Sequence, residues 1–232
     1  MIATPNMKLW LPFERNANDF SGNGNNGTVS GASLVDGGKF GKCYSFDKID
    51  DFIDCGNTVN PLQSFSICSY IYLNANTQIN VIIGKTQTTG FHGSAKIQWY
   101  LAVLSSGILR FAWWGSLTNT SVYSLCESNA TLDTGKWLFL TSTYDHTAAV
   151  GSRIQLYLNA MPLPCSNTIS GNPIQIQNGS AHLGIGALLD SNGSRGTSTS
   201  FDGKIDNVLL FEKVLNQNDI KRIMLNLQPL NG

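Results

Sequence analysis

The sequence predicts an all-β fold, a two-sheet antiparallel sandwich, on three observations. Apolar residues recur with period two rather than 3.6. Clusters of Gly, Asn and Asp separate short segments along the whole chain. A clear helical period occurs in one place, near the C-terminus. At 232 residues the chain is long enough to bury one sizeable core. No linker or internal repeat divides it, so one domain over 1–232 is expected.

The elements follow in order. Residues 65–73, 96–101, 108–113 and 153–158 alternate, each with one apolar and one mixed face, as half-buried strands do. Segment 137–144 is apolar on both parities at its start and is expected to be a central strand covered on both sides. Turns are expected at 22–27, 105–107, 133–136 and 190–194, where Gly, Asn and Asp tolerate positive φ. The polar stretch 190–200 is the longest and is expected to be a mobile loop. Ile220, Ile223, Met224 and Leu227 then share one helical face. Asn216 is a good N-cap, and Asp219 resembles the acid of a capping box. A short helix over 216–226, packed on the sandwich edge, is expected.

Composition excludes several functions. Lys+Arg and Asp+Glu are 15 each, and charged residues are 13% of the chain, about half the usual ~25%. The chain therefore lacks the basic stripe that grips nucleic acid and the polybasic handle that holds a membrane surface. No apolar run approaches the ~18 residues of a spanning helix, and residues 1–6 do not resemble a signal peptide. The five cysteines, Cys43, Cys55, Cys68, Cys126 and Cys165, are odd in number and contain no C-x-x-C. Neither a disulfide framework nor a zinc site is signalled, so buried reduced thiols are expected.

Six segments stand in a telling order. Residues 9–14 (LWLPFE) lead to 19–27 (DFSGNGNNG), and 41–47 (GKCYSFD) to 51–53 (DFI). Then come 65–71 (FSICSYI), 136–145 (KWLFLTSTYD), 154–159 (IQLYLN), and 201–208 (FDGKIDNV) with Leu215 and Ile220. Over nearly its whole length the chain thus resembles the laminin-G-like, concanavalin A-like lectin/glucanase domains. The resemblance implies a jelly-roll sandwich. It also implies a structural Ca²⁺ site, as in many such domains, matched here by Asp19, the backbone around Asn25 and Asn26, and Asp206. Hard oxygen ligands on a glycine-permissive loop suit that ion. The alternative is that Asp19 makes an Asx turn and Asp206 caps a strand end. Two departures stand out: Tyr70 replaces the family's tryptophan, and Asn159-Ala160 replaces Asn-Gly. Ala is disfavoured at positive φ, so a longer turn through Met161-Pro162 is expected.

Candidate chemistry is sparse. His92, His146 and His182 lie far apart beside no nucleophile motif, and 105–107 is a turn rather than a nucleophile elbow. Glu14, Glu127 and Glu212 do not form the paired carboxylates of a glycosidase strand. Glu127 is the least implausible single candidate, and a non-catalytic protein is expected. Recognition is better supported. Strand alternation puts Leu109, Phe111 and Trp113 on one face and Arg110, Ala112 and Trp114 on the other. With the first set in the core, and with Ile97, Trp99 and Leu101 beside it, Gln98 and Tyr100 point outward. Tyr100, Arg110, Trp114 and Gln98 are the candidate platform for a sugar ring or a neighbouring subunit. The alternative is that a loop or a partner covers Trp114.

Two functions are weighed. The first is a non-catalytic virion surface protein, a phage decoration, fibre or adhesion component, that attaches to a capsid or a host glycan. Its partners would be virion proteins or copies of itself. It rests on a sandwich starting at Met1 without an export signal, zero net charge and a surface rich in Ser, Thr, Asn and Gly. The alternative is a carbohydrate-binding module of a secreted glycan-active protein, using the same aromatic face. Both imply a virion-surface or extracellular location.

Overall fold

The computed structural model describes residues 6–61, 63–86, 97–173, 175–177, 179–196 and 200–226. In chain order the strands are β1 (Met7–Leu11), β2 (Thr28–Ser30), β3 (Ser33–Asp36), β4 (Lys42–Asp47), β5 (Phe52–Asp54) and β6 (Phe65–Leu73). They continue with β7 (Asn80–Thr86), β8 (Ile97–Val103), β9 (Ile108–Trp114), β10 (Tyr123–Thr131) and β11 (Trp137–Tyr144). The last are β12 (Ile154–Leu158), β13 (Met161–Leu163), β14 (Cys165–Ser170), β15 (Gly184–Ile185) and β16 (Asp202–Phe211), followed by helix α1 (Gln217–Asn226). One sheet runs β13-β12-β11-β6-β16-β4-β3, with β1 also on β16. The other runs β14-β10-β9-β8-β7-β15-β5-β2. The result is the antiparallel two-sheet jelly roll that the sequence implies, with a single α-helix among the described residues.

Alternation builds the core between the sheets. From β6 and β16 come Phe65, Ile67, Ile71, Ile205, Val208 and Leu210; from β8 and β9 come Trp99, Leu101, Leu109, Phe111 and Trp113. Phe65 packs on Trp99, Tyr144 and Phe111 at centroid distances of 5.3, 5.6 and 5.8 Å, geometries favourable for aromatic pairs.

Helix α1 lies against the outer face of the first sheet, not along the sandwich edge. Leu215, Ile220 and Ile223 meet Cys68, Tyr70, Phe139, Leu209 and Phe211 there. These strands carry apolar residues on both parities, so their second face also needs a cover. Asn216 caps the helix through the Asp219 amide (2.9 Å), and the Tyr70 hydroxyl donates to the Met224 carbonyl (2.8 Å). Leu227 lies outside the described residues.

Four local expectations are corrected. Ile97 leaves the central core for the cluster on the outer face of the second sheet, because the β7–β8 register shifts between Lys85 and Thr86. The β12–β13 hairpin does not use Met161-Pro162 as its turn: Leu158 pairs with Met161, and Asn159 and Ala160 adopt φ of 51° and 61°. Tertiary contacts hold Ala160 in that conformation. It is fully buried beside Phe139 and Leu215, its carbonyl accepts from Gln217 (3.1 Å), and the Phe139 amide donates to Asn159 Oδ1 (3.0 Å). Cys126 and Cys165 form a disulfide between β10 and β14, with Cα atoms 5.8 Å apart; Cys43, Cys55 and Cys68 are buried and free. Strand pairing brings together two cysteines 39 residues apart, which no spacing rule reveals. Lastly, the part of 190–200 that is described is tied down: Asp190 Oδ1 accepts from the amides of Asn192 (2.8 Å) and Ser194 (2.9 Å), and Leu189 bridges to Arg195, while 197–199 lie outside the described residues.

Candidate recognition face

The outer face of the second sheet carries the candidate site. Across the strands, Tyr123 pairs with Trp114 and Ser170, Leu125 with Ala112 and Thr168, and Glu127 with Arg110 and Ser166. Tyr100 pairs with Ala112 on the next strand. Paired residues share a face, so Tyr100, Trp114 and Tyr123 form a diagonal aromatic row. Trp114 stacks on Tyr100 (6.0 Å, 30°) and tilts onto Tyr123 (5.8 Å, 37°). Its indole N–H donates to the Thr120 carbonyl (3.1 Å), which fixes the ring.

Part of this face is roofed. Gly84 sits opposite Tyr100, and a Cβ there would approach Leu188 Cδ2 to 2.6 Å. Leu188 packs on Val81, Ile97, Tyr100, Ala102 and Ala112, and the Thr86 amide donates to the Leu189 carbonyl (3.2 Å). Two of the four platform residues are thereby corrected: Tyr100, 1% exposed, lies under this roof, and Gln98 is 0% exposed. Sequence parity gives a side chain's face but not what crosses over it. Tyr100 therefore supports Trp114 from beneath and offers no surface of its own, and burial raises the pKa of its hydroxyl. Trp114, Arg110, Tyr123, Leu125 and Glu127 are half-buried, and Ser166 and Thr168 are exposed. Tyr123 is absent from the sequence-derived set, although the alternation of Tyr123, Leu125 and Glu127 is the signal that would have found it.

Arg110 and Glu127 are locked together. Arg110 Nε donates to Glu127 Oε1 (2.9 Å), and Nη2 makes a short contact with the same oxygen. Nη1 donates to the Tyr100 hydroxyl (3.2 Å). Glu127 thus holds an arginine rather than standing beside a second carboxylate. The histidines do not converge on it either: His182 Nδ1 pairs with Asp54 (2.8 Å), the His146 amide bonds to Ser64 (3.1 Å), and His92 lies outside the described residues.

The implied cation set does not fit. Asp19 Oδ1 accepts from the amides of Trp10 and Ser21 (both 2.9 Å). Its Oδ2 accepts from the Ser21 hydroxyl (2.8 Å) and the Asn25 amide (2.9 Å). A carboxylate has about four lone-pair sites, so Asp19 is saturated. It organises the glycine-rich loop, and Asn26 Oδ1 in turn accepts from the Asp19 amide (2.9 Å). Asp206 is fully buried where β16 changes partner, pairing with β4 up to Ile205 and with β1 from Val208. The Phe40 amide donates to it (3.0 Å), as does the Asn207 side chain (2.8 Å). Desolvation raises its pKa to about 7, and the charge of Glu14 adds to the rise. The acid near Asp206 is thus Glu14, whose Oε1 is buried without a hydrogen bond among the described residues. A further acidic group, Asp47, Asp50 and Asp51, ties its own turn: Asp51 accepts from the Asp47 amide and Asp47 from the Ile49 amide (both 2.8 Å).

Away from the sheet face, a polar cleft of about 250 Å³ opens beside β1 between Lys8, Asn23, Asn25, Thr58, Asn60 and Glu212. Its wall is held from inside by Lys85, which is fully buried and donates to the Val59 carbonyl (2.9 Å) and to Asn60. Burial lowers the pKa of that lysine to about 8.

A family model described as the Concanavalin A-like lectin/glucanases superfamily matches residues 47–221. No curated protein sequence matches the chain significantly. Among solved structures, domain 4 of an extracellular arabinanase from Geobacillus stearothermophilus, in complex with arabinotriose, aligns with TM-score 0.64 and 14% identity, over 94% of this chain and 98% of that one. The binding domain of botulinum neurotoxin DC, in complex with rat synaptotagmin II, aligns with TM-score 0.69 and 17% identity, over 97% and 52%. Trypanosoma rangeli sialidase aligns with TM-score 0.65 and 14% identity, over 97% and 34%. The chain thus spans about half of the toxin domain and a third of the sialidase. At these identities the likeness shows the fold.

Proposed function

Because the chain belongs to the concanavalin A-like lectin/glucanase superfamily, we propose that it is a non-catalytic recognition module that binds carbohydrate on the outer face of its second sheet. One observation carries the reading. Trp114 and Tyr123 form a fixed, half-exposed aromatic pair on a strand face, bordered by the exposed hydroxyl residues Thr168 and Ser166. A ring stacks on the apolar face of a sugar, and neighbouring polar groups meet its hydroxyls. Glu127 is spent on Arg110, which argues against a hydrolytic role for it.

The setting is read as extracellular. Among the described residues no helix is long and apolar enough to cross a membrane. The Cys126–Cys165 disulfide supports oxidising surroundings. Display on a virion surface and display on a secreted protein both meet that condition. The likeness to a domain of an extracellular arabinanase over 98% of that domain's length favours a module of a secreted glycan-active protein.

A glycan array followed by titration calorimetry tests the reading. Trp114→Ala and Tyr123→Ala are each expected to weaken binding ~3–10-fold, the order of one lost stacking contact, with unchanged circular dichroism. Binding that survives both changes would move the site to the polar cleft between Lys8 and Asn60. No binding to any glycan would remove the reading.

A further inference from the structure

On the glycan-binding reading above, we infer that the Trp114 face selects neutral saccharides and turns away acidic ones, with Glu127 as the discriminating residue. On the outer rows of β8, β9, β10 and β14 around Trp114, the charged residues are Arg110 and Glu127. An arginine beside an aromatic pair would ordinarily favour a sugar carboxylate, because its planar fork matches two carboxylate oxygens. Here the side-on fork of Nε and Nη2 is occupied, and three of the five N–H donors are engaged. Nε and Nη2 both bond to Glu127 Oε1, and Nη1 bonds to the Tyr100 hydroxyl. Tyr100 is itself fixed under the Leu188 roof, so the guanidinium is held from two sides.

The pair is electrically neutral, and its unengaged acceptor is an anionic oxygen. Glu127 Oε2 makes no hydrogen bond among the described residues, and the side chain is 34% exposed against 21% for Arg110. A ligand that lies on Trp114 and Tyr123 and extends along β9 and β10 past Ala112 and Leu125, ~13 Å along the strands, reaches this pair, and the more exposed of its two side chains is the carboxylate. A neutral sugar donates a hydroxyl to that oxygen in a charge-assisted bond. A sialic or uronic acid brings a second carboxylate to it, and like charges at close range on a half-buried surface repel. To take the Nε/Nη2 fork of Arg110, such a ligand must break both bonds to Glu127 and leave that carboxylate unpaired.

The experiment measures affinities of the whole chain for arabinotriose, cellotriose and lactose, and for 3′-sialyllactose and trigalacturonate. Wild type is expected to bind at least one neutral ligand and to bind both acidic ones at least 10-fold more weakly. Glu127→Gln keeps an acceptor for Arg110 and removes the negative charge. It is expected to weaken neutral binding and to strengthen acidic binding at least 10-fold, which shifts the ratio toward acids. Acidic ligands bound as tightly as neutral ones by wild type would overturn the inference while leaving the recognition reading in place. An unchanged ratio in a folded Glu127→Gln chain would do the same. Absence of all binding would overturn both. The wild-type comparison needs no variant, so a Glu127→Gln chain that fails to fold does not shield the inference.

Discussion

Trp113 and Trp114 are adjacent in the chain and opposite in the sheet. Trp113 is 0% exposed, packs edge-on against Tyr144 at 5.3 Å and lies under Arg153; Trp114 is half-exposed on the outer face. Trp113→Ala should therefore lower the unfolding free energy by ~3–5 kcal/mol, the cost of a large core cavity, while Trp114→Ala should cost little stability and most of the binding. Urea denaturation of both variants separates them, and the reverse order would mean that β9 faces the other way. Asp206 gives a prediction in pH. Its pKa is raised to about 7 by burial, against ~3.9 in an unfolded chain. The folded state holds that proton more tightly, so the stabilisation is complete below pH ~4 and is lost as pH rises through ~7, by as much as ~4 kcal/mol. Asp206→Asn cannot ionise, so the stability of wild type relative to this variant should fall between pH 4 and 7.5. A difference that stays flat across that range would show that Asp206 ionises normally in the fold.

Two elements depend on contacts distant in sequence. Edge strand β14 is tied to β10 by the Cys126–Cys165 disulfide, which closes a loop across 39 residues. By chain entropy such a closure is worth ~4 kcal/mol, with measured values commonly 2–4. Replacing both cysteines by Ala should lower stability by ~2–4 kcal/mol, read in urea, and amide exchange should quicken first along β14. Equal exchange in the two forms would show that the ladder alone holds the edge. The glycine-rich loop after β1 is organised by one carboxylate that accepts four hydrogen bonds. Asp19→Ala should lower the melting temperature by several degrees, corresponding to ~2 kcal/mol or more from the lost charged hydrogen bonds. The drop should be the same in calcium and in EDTA, because the residue serves the loop rather than an ion. A drop confined to calcium-loaded protein would return Asp19 to the metal-binding role that the family resemblance implies.

At the scale of the molecule, charge is scarce and balanced, with 15 residues of each sign among 232. Long-range steering should contribute little, so a glycan Kd should change less than ~3-fold between low and high salt; a steep dependence would point to a charged ligand site elsewhere. The same scarcity leaves the hydrophobic pattern easy to follow, and for that reason the architecture was legible from the chain. Period-two segments at 65–73 and 108–113, the turn clusters and the Asn216 cap each depend on neighbours two to four residues away, and backbone geometry converts them directly into strands, turns and a helix. The same local rule separates Trp113 from Trp114. Other features required the assembled sheets. Parity sends Tyr100 outward, but the roof over it comes from Leu188, some ninety positions later. Cys126 meets Cys165 only because β14 pairs beside β10. Ala160 adopts positive φ because Phe139 and the helix close around it. Asp206 has a displaced pKa because β16 exchanges one partner for another at that residue. The sequence by itself determined which way each side chain leaves the backbone, since that is a property of the chain's own dihedral angles. Only the tertiary structure decided what each side chain then meets, because burial and pairing are set by segments that sequence distance does not order.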